Sequence, residues 1–231
     1  MNKVAFLINL KECGKLLEEY ELLNRTNYRN VNISTYKKYS DEFRVSAQKD
    51  NYAKTFIVGS EKDDYDYILR DGSYFQFSFD ENDVDFVIRM AFYPTINRIS
   101  YEEFLLEFLE LSIEECGGAF IEDYQQYLDE QEINVVTPVR YDYNSKIYQK
   151  VIHSASHIHF GYEENIRVPA NKILFPTAFI KIVLQYFYYN TWKKKVKNKE
   201  DNCFISGSEK KDIDSVYWES EDRKIPYISC T

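Results

Sequence analysis

The sequence predicts an α+β fold: an antiparallel sheet of hairpins and meanders, packed against several α-helices within a single domain. Three observations carry this. Apolar residues recur at three- and four-residue intervals between Val4 and Leu23, the period of an amphipathic helix. The pattern then alternates on either side of Asp71-Gly72, the signature of paired antiparallel strands. Helical spacing returns after Ser100 and again after Pro176, which places helices against the sheet. Composition supplies the core, with 44% hydrophobic residues and 17% aromatics, including 21 Tyr and 16 Phe.

Taken in order, the first helix follows from Phe6, Leu10, Cys13, Leu17 and Tyr20 sharing one face. A second is expected between Thr35 and Gln48, where Tyr36, Tyr39 and Phe43 align. Tyr65 to Arg70 forms the first strand, Asp71-Gly72 a two-residue turn, and Phe75, Phe77 and Phe79 the apolar face of the second strand. Asp85 to Tyr93 forms a third strand, stopped by Pro94. Ser100 and Glu103 have capping-box spacing ahead of Phe104, Leu105, Phe108 and Leu109. Gly117-Gly118 interrupts that helix before Phe120 to Leu128 resumes it. A second sheet segment runs from Ile133 to Tyr143, turns at Asn144-Ser145 and returns through Ile147 to Phe160. An apolar helix follows Pro176 and ends in Lys193, Lys194 and Lys195. Residues 1–197 are therefore expected to form one domain, and the polar residues 198–231 a tail packed loosely on it.

Several functions are disfavoured. Only 7 Gly are present, and neither the P-loop nor the dinucleotide fingerprint occurs. The first apolar run, Val4 to Leu10, is too short for a bilayer and has no cleavage site, so the expectation is a cytoplasmic protein with no membrane partner. The four cysteines contain no C-x-x-C pair, as expected of reduced thiols. A net charge of −9 opposes broad nucleic-acid binding but leaves room for a local basic patch.

The chemistry concentrates in one place. All three histidines lie within His153-Ser-Ala-Ser-His157-Ile-His159. On a strand they share one face, while Ile152, Ile158 and Phe160 take the other. With a two-residue loop at Asn144-Ser145, Tyr143 pairs with Lys146 and Arg140 with Gln149, which puts Arg140 and Asp142 on the histidine face. Three readings of the cluster stand side by side. His157 and His159 can divide acid and base roles at a phosphodiester without metal or cofactor, with Asp142 orienting an imidazole, Arg140 and Arg167 binding phosphate, and Ser156 and His153 adding substrate contacts. His157 and His159 can instead hold zinc or manganese with His153 or Asp142. In the third reading the imidazoles only bond neighbouring loops or a partner.

The blocks Ser156-His-Ile-His-Phe-Gly161, Ile166-Arg-Val-Pro169 and Pro176-Thr-Ala-Phe-Ile180 resemble a bacterial family catalogued as domain of unknown function 2290. Asp71-Gly-Ser-Tyr-Phe-Gln-Phe77, Arg89-Met-Ala-Phe-Tyr-Pro94 and Val139-Arg-Tyr-Asp-Tyr143 are similar to its other blocks, in the same order. The resemblance carries no assigned activity. It implies a cytoplasmic bacterial protein from mobile or defence gene neighbourhoods: a toxin, an effector or an accessory subunit. The H-x-H-x-G block is also similar to one in small toxin families suspected of cutting RNA, which is analogy alone. Ser154 stands where the pattern would have Pro after the first His, which sets His153 apart.

Other features have plainer readings. The lysines around Lys193 to Lys199 complement a helix C-terminus. Tyr186, Tyr188 and Tyr189 sit at core and interface spacing, although tyrosines also stack on bases. Adjacent glutamates such as Glu114 and Glu115 diverge on a helix and form no shared site. The expected function is thus a defence or toxin-type protein acting on RNA or nucleotide phosphodiesters. The alternative is a noncatalytic accessory subunit that binds a protein partner in an anti-phage defence complex through its aromatic surface.

Overall fold

The computed structural model describes residues 2–27, 35–36, 39–81, 85–96, 101–132, 137–162, 166–198 and 203–229. Helix α1 (Lys3–Glu19) starts at Asn2, whose side chain accepts the Ala5 amide at 2.9 Å, and buries Phe6, Leu10, Cys13 and Leu17. Strand β1 (Leu23–Thr26) follows, then β2 (Thr35–Tyr36), α2 (Asp41–Lys49) and α3 (Tyr52–Glu61).

The helix expected over 35–48 begins only at Asp41, because Ser40 caps it by accepting the Phe43 amide at 3.1 Å, and Thr35–Tyr36 pair with a strand instead. Helix α3 was not expected. Asn51 caps it, and its buried face is made of Ala53, Thr55, Phe56 and Gly59, too few large apolar residues to stand out in the sequence. Gly59 is required there: a Cβ would meet the Tyr74 hydroxyl at 2.2 Å.

Strands β3 (Tyr67–Leu69) and β4 (Tyr74–Glu81) form the expected hairpin, but with a three-residue loop, Arg70 to Gly72. The register Tyr67 to Phe75 leaves Leu69 opposite Ser73, with the Leu69 amide donating to the Ser73 carbonyl at 2.7 Å. Gly72 takes φ +86°, the left-handed residue such loops need. Next come β5 (Phe86–Tyr93), β6 (Val139–Asn144), β7 (Ser156–Phe160) and β8 (Arg167–Pro169), giving the antiparallel order β1-β3-β4-β5-β6-β7-β8 with β2 also paired to β4. The α+β architecture is as the sequence predicts.

Between β5 and β6 the chain leaves the sheet in a helical arm: α4 (Tyr101–Phe104), a π-helical turn over Leu105–Leu109, α5 (Ile113–Cys116) and α6 (Ile121–Glu132). The expected capping box at Ser100 lies outside the described residues. A capping box does form at Ser112, whose amide donates to Glu115 Oε2 at 2.8 Å, and Gly117 ends α5 at φ +55°. The arm holds eleven Asp or Glu and no Lys, Arg or His, so the rest of the chain has 27 acidic against 29 basic side chains.

After β9 (Lys172–Leu174), α7 (Pro176–Phe187) lies with α1 over one sheet face. Phe179 sits edge-on to Phe75 and Phe77, with ring centroids at 6.3 Å. Phe179, Ile180, Val183 and Leu184 are fully buried, each stabilising by about 1.5–3 kcal/mol. The lysines expected at the end of this helix belong to a separate α8 (Tyr189–Lys197), since Tyr188 leaves helical geometry at φ −117°, ψ 40°.

Residues 203–229, polar in composition, are anchored rather than loose. Strand β10 (Lys210–Asp212) pairs with β9, Trp218 is buried, and the Ile228 amide donates to Pro169 at 2.7 Å. Glu209 accepts from the buried Lys181 at 2.8 Å. The second sheet face is divided. Helices α2 and α3 cover its β4–β5 end with Phe43, Tyr52 and Phe56 around Tyr74 and Tyr93, which stack at 4.9 Å. The remainder, over β5, β6 and β7, is polar.

Candidate functional site

Strand pairing assembles this polar face. Arg89 on β5 pairs with Asp142 on β6, and Asp142 with His157 on β7; Arg140 pairs with His159, and His159 with Arg167 on β8. Cross-strand neighbours lie about 4.5–5.5 Å apart on one face, so alternation alone brings a carboxylate, two imidazoles and three guanidinium groups together.

The expected turn was wrong in register and right in parity. Ser145–Ile147 forms a 3₁₀ turn, and the chain detours through a Gln149–His153 bridge with Val151 at φ +65° before β7 begins. Tyr143 therefore pairs with Ser156 instead of Lys146. The slip is even, and the period of a strand is two, so the predicted faces survive. Two details do not. Ile152 lies in the detour and is 82% exposed instead of core-facing. Ser156, expected to touch substrate, is on the core face, where its hydroxyl bonds the Tyr141 hydroxyl at 3.0 Å and the Lys172 carbonyl at 2.7 Å. His153 precedes β7, yet its ring still lies 5.0 Å from that of His157.

Asp142 is the hub. Its Oδ1 accepts from Arg89 Nε at 3.0 Å, and its Oδ2 from Arg140 Nε at 2.8 Å, with His159 Nε2 at 3.2 Å and His157 Nε2 at 4.0 Å. Burial alone would raise the Asp142 carboxyl; the hydrogen bond from His159 and the charges of Arg89 and Arg140 outweigh it and hold the group well below the usual carboxylate range. Arg89 was missed in the sequence. The signal was present: it is the one charged side chain in the apolar run Phe86–Tyr93.

His157 and His159 are each 3% exposed. Burial, reinforced by neighbouring His159, pushes the His157 imidazole down to about 4. Its Nδ1 donates to the Ser154 carbonyl at 2.9 Å, the tautomer that leaves a lone pair on Nε2 facing Asp142. His159 Nε2 lies 3.2 Å from both Asp142 Oδ2, an acceptor, and Arg140 Nη2, a donor, so that nitrogen has a partner with or without its proton. His159 Nδ1 is buried with no hydrogen-bond partner among the described residues. His153, lowered by burial and by Arg167, joins His157, Arg167, Val151, Pro169 and Pro226 in lining a cleft of about 370 Å³.

Asp142, His157 and His159 can each offer a ligand atom within 4.8 Å of the others. Arg89 and Arg140 already occupy the carboxylate oxygens. A divalent ion there would sit beside two guanidinium charges, an arrangement that favours an anion over a metal. Chemically, the cluster can hold an anion against arginines and exchange a proton with it through imidazole.

No curated protein and no solved structure matches the chain. The family model described as "Uncharacterized conserved protein (DUF2290)" matches residues 16–225, which include every residue of the cluster from Arg89 to Arg167. With the whole sheet, the histidine strand and α7 inside that span, the chain belongs to the DUF2290 family.

Proposed function

We propose that this chain is a metal-independent phosphodiester-cleaving enzyme of a bacterial toxin or defence system, acting in the cytoplasm on RNA or a nucleotide. The observation that carries the reading is the convergence of an uncharged His157, an Asp142–His159 pair and Arg140 on one sheet face beside the cleft.

His157 Nε2 is the base. With RNA it takes the proton of a 2′-hydroxyl, whose oxygen attacks phosphorus. His159, held by Asp142, gives its proton to the departing 5′-oxygen, so one proton is taken and one returned. Arg140 and Arg167 neutralise the charge that builds on the phosphorane, with Arg89 behind them. A phosphate anion in the cleft raises the His157 pKa from about 4 towards neutrality, which improves it as a base. The acidic balance of the chain does not oppose this, because the carboxylate excess is confined to residues 101–132.

The test is purified protein on a mixed RNA substrate, with and without chelator. Cleavage is expected with chelator present, falling by about 10²–10⁴-fold in His157→Ala and in His159→Ala. Absence of cleavage, or full activity in both variants, overturns the reading. The second reading, a noncatalytic accessory subunit of a defence complex, draws on the near-complete burial of both imidazoles. It requires an inactive chain that copurifies with one stoichiometric bacterial or phage protein.

A further inference from the structure

The arm between β5 and β6 has an unusual combination of properties. It packs chiefly on itself, through rings of Phe104 and Phe108 lying 5.0 to 5.4 Å from those of Tyr124 and Tyr127. Leu105 is buried, but other apolar residues of the arm are not: Leu106 is 68% exposed, Phe108 51%, Ile113 41% and Ile121 56%. Single exposed apolar residues are ordinary, whereas four carried on one helical arm leave apolar surface that a partner can cover.

The charge says what covers it. Eleven carboxylates and no cation lie between Tyr101 and Glu132. No internal ion pair can relieve their mutual repulsion, so a cationic partner is stabilised and an anionic one repelled. That excludes nucleic acid, an anionic membrane and the same arm of a second copy. Apolar side chains set among acids on paired short helices suit an amphipathic helix whose apolar stripe is flanked by Lys or Arg.

We propose that residues 101–132 form a docking face for a basic amphipathic helix of a protein partner. The inference rests on nothing in the histidine cluster and goes beyond the catalytic reading.

The test uses the full chain and labelled synthetic peptides: a Leu/Lys amphipathic helix of about five turns, and a scramble of the same composition. The amphipathic peptide is expected to bind at least about ten-fold more tightly than the scramble. It should protect backbone amides within 101–132 from exchange in the unmodified chain. Leu106→Ser with Phe108→Ser should weaken binding about ten-fold, while Val4→Ser on the exposed side of α1 leaves it unchanged. Equal binding of the scramble, protection lying outside 101–132, or unaltered affinity in a Leu106→Ser/Phe108→Ser chain that melts like the parent overturns the proposal. So does protection of the arm by a mixed RNA.

Discussion

At the scale of single residues, the cluster is a balance of charges on one carboxylate, and His157 is the member that must stay neutral. In the unfolded chain an imidazole titrates near 6.5, and in the fold His157 titrates at about 4. Between those values the unfolded state binds a proton that the folded state does not, so stability falls as pH drops from about 6.5 to about 4 and is fully present above that window. The loss attributable to His157 is on the order of 3 kcal/mol. Asp142 acts in a separate window: its depressed carboxyl stabilises the fold above about 4, and that contribution is lost as pH falls further. Urea unfolding of the parent and of His157→Asn from pH 7 to pH 4.5 measures the first effect. The stability gap between the two should narrow as pH falls, and parallel curves would show that His157 is not buried as a neutral imidazole.

At the scale of elements, the second sheet face depends on how closely α3 approaches β4. The Tyr74 hydroxyl donates to the Phe56 carbonyl at 3.3 Å, and it occupies the space where a side chain at Gly59 would go. Gly59→Ala is expected to cost about 1–3 kcal/mol in thermal or urea unfolding. Adding Tyr74→Phe removes the clashing oxygen and should recover part of that loss. If the double variant is as unstable as the sum of the single changes, the close approach is not the cause. The same packing limits where the polar cluster can lie, because α2 and α3 cover only the β4–β5 end of that face.

At the scale of the whole molecule, the C-terminal segment closes the fold through an ion pair. Lys181 on α7 is buried and donates to Glu209 and to the Phe204 carbonyl, each at 2.8 Å. Burial alone would raise the Glu209 carboxyl, but Lys181 and the Ser206 amide outweigh it and keep the group ionised. Glu209→Ala leaves an uncompensated buried ammonium and should destabilise by about 3 kcal/mol, with the melting temperature falling accordingly. A loss below about 0.5 kcal/mol would mean that residues 203–229 are the loose appendage their composition suggests.

Much of this was legible in the sequence, because periodicity is local. Alternation along Tyr74–Glu81, Phe86–Tyr93 and Val139–Asn144 fixes which side chains share a face, and a strand's period of two makes that reading immune to the even slip at Asn144-Ser145. Helix α1 and helix α7 were equally plain, each having a full apolar stripe. Helix α3 was not, since its stripe rests on small residues whose value lies in what they let approach. Local pattern could not show that Arg89 joins Asp142 or that Glu209 meets Lys181, although alternation already places Ser156 on the core face with Ile158. Those two pairs are separated by 28 residues or more. Composition reported one net charge for the chain, while the fold divides it into a carboxylate-only arm and a near-neutral body. The sequence by itself determined the fold class, the strand faces and the family; the tertiary structure alone decided which charges meet, because burial and charge pairing are set by contacts distant along the chain.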